Sequence, residues 1–170
     1  SYVRKCSSKI IFKNIHIKFF IIYCCINNMK KILSQLEIDK FKQDGAIFLK
    51  NKFDVSWINK LQKGIEKDIK KPSPRFKSHT VKKNVPAYLE DYWTWHLVPE
   101  FKDFVFNSPY AQIASELMSA KKINLVMDNW FLREAGSKSF TPFHHDISYF
   151  DMDGTMCVLW LPLQPTGKNE

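Results

Sequence analysis

Ser139-Phe140-Thr141-Pro142-Phe143-His144-His145-Asp146, running on into Ile147-Ser148-Tyr149-Phe150, anchors the reading of this 170-residue chain. Backbone before a proline is biased away from the helix, and the neighbouring Phe and Ile residues favour extended chain. Side chains of an extended segment alternate, so His144 and Asp146 are expected on one side and His145 on the other. A neutral imidazole and a carboxylate two residues apart on one side offer two adjacent donors to one metal ion. They make the short arm of a two-histidine, one-carboxylate site, an arrangement that leaves coordination positions open on iron(II). A triplet of this kind is common in solvated loops, so its weight comes from the segments around it.

Upstream lies Asp128-Asn129-Trp130-Phe131-Leu132-Arg133-Glu134-Ala135-Gly136, a strand-like run closed by a turn. Downstream lie Val158-Leu159-Trp160-Leu161-Pro162-Leu163 and a loop opening at Pro165. In order and spacing these pieces resemble the phytanoyl-CoA dioxygenase family of iron(II)- and 2-oxoglutarate-dependent oxygenases, with fainter echoes back to about Lys40. Family members typically show a strand ending in a basic residue and a Glu-Pro-Gly-like turn. Next in their chains come Thr-Pro-Trp-His-Gln-Asp, an aromatic pair and a Trp-containing strand. This chain departs at Arg133 (usually Lys), Ala135 (usually Pro), Phe143 (usually Trp) and His145 (usually Gln). None of these departures removes a metal ligand.

The totals bound the alternatives. A chain of 170 residues is long enough for one domain with a real core. Fourteen Phe, five Trp and a formal charge of +9 are the compositional outliers. Residues 1–28 hold Arg4, Lys5, Lys9, Lys13 and Lys18 and no acid, which leaves +4 for residues 29–170. The domain proper is thus only mildly basic, and nucleic-acid binding through residues 1–28 ranks last among the readings. Cys6, Cys24 and Cys25 lie in the first segment and Cys157 stands alone in the rest. No disulfide framework is visible, so a reducing, cytoplasmic setting is expected. Phe19 to Ile26 is an apolar run too short to span a bilayer and has no small-residue cleavage site behind it.

Along the chain, residues 1–28 look foreign to residues 29–170: they lack Gly, Pro, Ala and acids, and they begin without Met. They read as upstream translation, or a disordered or targeting segment, ahead of a start at Met29, and are expected to pack poorly against the rest. Ser34-Gln35-Leu36-Glu37 is a capping box and Gly45 a stop, which predicts a helix over 34–44. Ala46 to Leu49 reads as a strand. Asp54 caps a second helix, 54–70, with Ile58, Leu61, Ile65 and Ile69 at helical spacing. Lys71 to Pro86 is a loop, and the cluster Tyr92 to His96 is expected to be core. His79 and His96 lack ligand partners nearby and stay unassigned. Pro99 opens a short helix with Phe101, Phe104 and Val105 on one side. Ser108-Pro109 opens another, 109–119, with Ile113, Ala114, Leu117 and Met118 as its stripe. Ile123 to Leu132 is a long strand, Asp151 to Gly154 a turn, and Met156 to Leu163 a strand apolar enough to be covered on both faces.

The resemblance implies an α+β chain with a mainly β core: a double-stranded β-helix, or cupin-like jelly roll, with N-terminal helices packed outside. Residues 29–170 would be the N-terminal part of such a domain. The family's third iron ligand, a histidine, and its arginine for the far carboxylate of 2-oxoglutarate come after the Trp strand. The chain is therefore expected to be a fragment, inactive by itself, of an active hydroxylase. Implied cofactors are Fe(II), 2-oxoglutarate and O2, with ascorbate as a supporting reductant, and the implied partner is a small-molecule substrate of unstated identity. No nucleic acid and no membrane are expected, and the oligomeric state is not legible. His144 and Asp146 match the family's metal ligands; Trp160 and Asn129 match positions that touch the co-substrate. Arg133 is a basic residue near by, for a carboxylate or an ion pair. Related halogenases lack the carboxylate, so the intact Asp146 favours hydroxylation. The competing reading is a cupin-like metal- or ligand-binding module without oxygenase activity.

Overall fold

The computed structural model describes residues 15–25, 31–80, 85–138, 141–151 and 154–165. Five strands make one antiparallel sheet: β1 (Ile15–Cys25), β2 (Lys77–Ser78), β3 (Tyr88–Tyr92), β4 (Lys122–Arg133) and β5 (Cys157–Pro162). Their spatial order is β2-β3-β4-β1-β5. Four helices complete the set: α1 (Gln35–Asp44), α2 (Val55–Lys70), α3 (Pro99–Asn107) and α4 (Tyr110–Met118). The architecture is a mixed one of helices and antiparallel sheet, as the α+β reading expects. A second sheet is not present among the described residues.

The position of β1 corrects one expectation outright. Rather than packing poorly, Ile15–Cys25 lies inside the sheet, paired with β4 on one side and β5 on the other. Its reason is visible in the local pattern. Ile17 and Phe19 alternate with Lys18 and are both wholly buried. The Phe19 ring stacks on Phe104 of α3 at 4.8 Å and tilts against Tyr110 of α4 at 5.1 Å. Rings at such separations contribute beyond their buried area. Read as a run, Phe19 to Ile26 is merely apolar; read with a period of two, Ile17 and Phe19 go to the core and Lys18 to the other face.

That same face of the sheet carries the main core. Ile17, Phe19, Trp130, Leu132 and Leu161 meet Leu61 and Ile65 of α2, Phe101 and Phe104 of α3, and Tyr110 and Ala114 of α4. Helix α2 lies so close to α3 that a Cβ on Gly64 would sit 2.5 Å from the Phe101 ring. A smaller cluster of Leu33, Ile38, Ile113 and Leu117 holds α1 on α4. The register of β1 against β4 slips between Phe20 and Ile22. This bulge lets Ile123 and Trp130, an odd number of residues apart, both point inward.

Helix boundaries follow their caps. Ser34 Oγ accepts from the Glu37 amide while the Glu37 carboxylate accepts from the Ser34 amide, and Gly45 closes α1 at φ 73°. Asp54 accepts from the Ser56 amide at the start of α2. The Glu37 carboxyl is held down at about 2, first by its hydrogen bond from Lys52 and then by the Ser34 amide. Ala46 to Leu49 joins no ladder, against expectation. Ile47 and Leu49 instead lie against the smaller cluster, a use of apolar residues that needs no strand. Strand β3 was not foreseen, because its Leu89-Glu90-Asp91 centre buries a carboxylate where the pattern leads one to expect an apolar residue. Strand β5 is covered on one face only, since Trp160 is 61% exposed.

Three carboxylates sit in this core. Asp128 accepts from the Thr94 amide (2.9 Å), the Thr94 hydroxyl (2.7 Å) and the Trp95 amide (3.0 Å), which pins the turn after β3 to β4. Asp91 accepts from the Ser73 amide (2.9 Å), the Ser73 hydroxyl (2.6 Å) and the Tyr92 amide (2.8 Å). Asp68 accepts from Trp130 Nε1 at 2.8 Å. Burial pushes the Asp68 carboxyl up to about 7, with the neighbouring Asp91 adding to the shift. Among the described residues no helix is long and apolar enough to cross a membrane.

Candidate functional site

The opposite face of the sheet holds the candidate site. Lys18 of β1 stands across from Asn129 of β4 and from Trp160 of β5. Directly opposed residues share a face, so these three form one row, away from the helices. Beyond β4, the Glu134 amide donates to the Ala87 carbonyl at 2.8 Å and the Glu134 carboxylate accepts from the Ala87 amide at 2.7 Å. The chain then turns at Gly136, whose φ of 85° suits a residue without Cβ. It returns over the sheet, where the Thr141 and Tyr88 hydroxyls hydrogen-bond at 3.0 Å.

At His144 the return segment meets its acid, Asp146. His144 Nε2 lies 3.1 Å from Asp146 Oδ1, and the imidazole packs edge-on to Tyr149. The backbone at His145 is extended, with φ −114° and ψ 117°, so the side chains either side of it point the same way. Asp146 begins a 3-10 turn, Asp146–Tyr149, in which the His145 carbonyl accepts from the Ser148 amide at 3.1 Å. Thus His144 and Asp146 converge as the two-residue period predicts, without the ladder of a full strand. His145 is exposed.

The pair can be tested as metal donors on its own hydrogen bonds. His144 Nδ1 lies 2.8 Å from the Pro142 carbonyl, which can only accept, so Nδ1 carries the proton of that bond. In the neutral imidazole, Nε2 then turns a lone pair toward Asp146 Oδ1, acceptor facing acceptor. A proton on Nε2, which then donates to Asp146, or a metal cation held between the two atoms satisfies both. Adjacent donors on an octahedral ion at about 2.1 Å stand about 3.0 Å apart, close to the separation seen. A ring N–H bonded to a backbone carbonyl is also the usual support of a metal-bound histidine. The residues present therefore fit two donors of a metal site. Among the described residues, no third His, Cys, Asp or Glu joins them.

A match over most of the chain says what kind of protein this is. The family model described as phytanoyl-CoA dioxygenase (PhyH) matches residues 41–170. The chain belongs to the phytanoyl-CoA dioxygenase family. No curated protein and no solved structure gives a significant match. Membership in the phytanoyl-CoA dioxygenase family implies oxygenase-type chemistry that depends on iron(II) and 2-oxoglutarate, and points to a dioxygenase-type enzyme. Strand β1 lies outside the matched residues, although it pairs with two strands that lie within them.

The remaining expectations divide by place. Asn129 Oδ1 is buried and no donor among the described residues reaches it, an orphan acceptor on the site face. Trp160 shares the row at its outer end. Arg133 is occupied by stacking, its guanidinium 4.8 Å from the centroid of Tyr88. His79 pairs with Glu90 at 3.0 Å and His96 lies against Trp95, both away from the row. Lys18 escaped the sequence reading: its Nζ is 3.6 Å from Asp146 Oδ1. The signal that could have found it is a single cation between two apolar residues at a period of two.

Proposed function

We propose that this chain carries the metal-binding end of an iron(II)- and 2-oxoglutarate-dependent hydroxylase acting on a small organic substrate. The supporting observation is the convergence of His144 Nε2 and Asp146 Oδ1 at 3.1 Å, with the other imidazole nitrogen bonded to the Pro142 carbonyl. In this reading His144 and Asp146 hold Fe(II), and the family's third histidine lies outside the described residues. When bound, the ion supplies oxidative decarboxylation of 2-oxoglutarate coupled to C–H hydroxylation. The chain's own residues orient the pair. Pro142 fixes the ring of His144, Tyr149 packs against that ring, and Tyr88 holds the return segment through Thr141. Asn129 and Trp160 are taken as co-substrate contacts because both stand in the row across from Lys18 on the site face. The single sheet would then be one layer of the jelly roll that the family uses. With the carboxylate of Asp146 in place, hydroxylation is favoured over halogenation.

One observation favours a second reading, a cupin-like metal- or ligand-binding module without oxygenase activity: only two donors converge among the described residues. Metal affinity and redox chemistry both depend on donor number. The deciding experiment is succinate formation from 2-oxoglutarate with added iron(II) and ascorbate, in the complete protein and in these 170 residues alone. The hydroxylase reading expects turnover in the first, abolished by Asp146→Ala and largely kept by His145→Gln. With two donors among the described residues, the 170 residues alone are expected to give none. Turnover that survives Asp146→Ala would overturn the assignment.

A further inference from the structure

Lys18 and the candidate metal ion draw on one oxygen. The ammonium lies 3.6 Å from Asp146 Oδ1, the atom that also faces His144 Nε2 at 3.1 Å. It reaches there from the central row of the sheet, between Asn129 and Trp160, and its Nζ is 5.8 Å from the centroid of the Phe131 ring. The ion pair is largely covered, with 20% of the Lys18 and 24% of the Asp146 side chain exposed. A shielded pair of this kind feels less solvent screening than one at the open surface.

We propose that Lys18 is a built-in competitor for the metal: its ammonium occupies the cation position beside Asp146 and must leave Oδ1 for a divalent ion to bind. This rests on the reading of His144 and Asp146 as metal ligands. A divalent ion and an ammonium sharing one carboxylate oxygen repel each other, and in partly covered surroundings that repulsion weakens binding roughly tenfold or more. Lysine suits the role because its charge is compact and its stem flexible. The Phe131 face offers the displaced ammonium a second resting place, where a cation over an aromatic ring retains some stabilisation. Lys18 is thus a positioning residue acting through Asp146, contributed by a strand outside the family match.

The test is titration of the complete protein with Mn(II), following free ion by electron paramagnetic resonance. Lys18→Met should bind Mn(II) about tenfold more tightly than the unaltered chain. Asp146→Ala should remove binding in every background. Asp146-dependent binding that Lys18→Met leaves unchanged or weakens would overturn the role of Lys18 alone. Absence of any Asp146-dependent binding, with or without Lys18, would overturn the metal-ligand reading together with it. A second measurement needs no variant: acetylation of Lys18 by acetic anhydride, read by mass spectrometry, should rise severalfold on saturation with Mn(II). A rate that stays level or falls would sink the proposal even if Lys18→Met did not fold.

Discussion

Asp128 and Asp146 are carboxylates on opposite faces of one sheet, and they live in different chemical company. Asp128 is fully buried and is met by three donors: two amides and a hydroxyl. Asp146 is partly exposed and faces the Nε2 atom of an imidazole and a lysine ammonium. A buried acid whose oxygens all find donors is a structural element, because removing it strands those donors. An acid met by an imidazole and an ammonium, both able to move aside, keeps the capacity to take another cation. Burial alone does not tell the two environments apart; the identity of the partners does.

The largest effect is expected from removing the strand on which both faces depend. Deleting residues 1–28 takes β1 from between β4 and β5 and strips Phe104 and Trp130 of their neighbours Phe19 and Ile17. The shortened chain should show no cooperative thermal transition. A melting curve like that of the full chain would break the comparison at its root, since neither face could then rest on β1.

Next in size, Asp128→Ala leaves the Thr94 amide, the Thr94 hydroxyl and the Trp95 amide without their acceptor. A loss of about 3 kcal/mol in chemical denaturation is expected. Asp146→Ala should cost less than about 1 kcal/mol, because its ion pair is partly solvated, while removing Mn(II) binding. Equal destabilisation by the two substitutions would erase the distinction.

Acidity sharpens the contrast further. Asp68 is raised from its ordinary value to about 7 by burial, with Asp91 near by, so the folded chain keeps a proton that the unfolded chain releases above about pH 4. Stability contributed by this group is therefore complete in acid and is lost as pH rises from about 4 through 7, by at most about 1.4 kcal/mol per unit. Asp68→Asn keeps an oxygen for Trp130 Nε1 and should flatten that slope. An unchanged slope would show that another group governs it. The smallest effect belongs to Trp160→Ala. With 61% of its surface exposed, its loss should change stability by under about 0.5 kcal/mol, and a larger drop would place Trp160 in the core rather than beside the site.

Much of the helical layer was legible because helices announce themselves locally. Ser34 with Glu37, Asp54 with Ser56, and the stripe of Leu61 and Ile65 each act within a turn or two of chain. The convergence of His144 and Asp146 was legible for the same reason: it needs only one extended residue between them. Strand β3 and the three buried aspartates were not legible. Their polar side chains are admitted to the core by donors that come from distant segments, Ser73 for Asp91 and Thr94 for Asp128.

The amino-acid sequence by itself determined the caps, the helix stripes, the extended His144–Asp146 segment and the family, because each is carried by short-range order and spacing along the chain. Only the tertiary structure decided that Ile15–Cys25 is a central strand and that Lys18 reaches Asp146. Strand pairing joins residues more than a hundred positions apart, Lys18 to Asn129 and to Trp160, through backbone hydrogen bonds that do not depend on side-chain identity. No local pattern records which strand will stand beside which, and the neighbours of a strand decide what its outward side chains can touch.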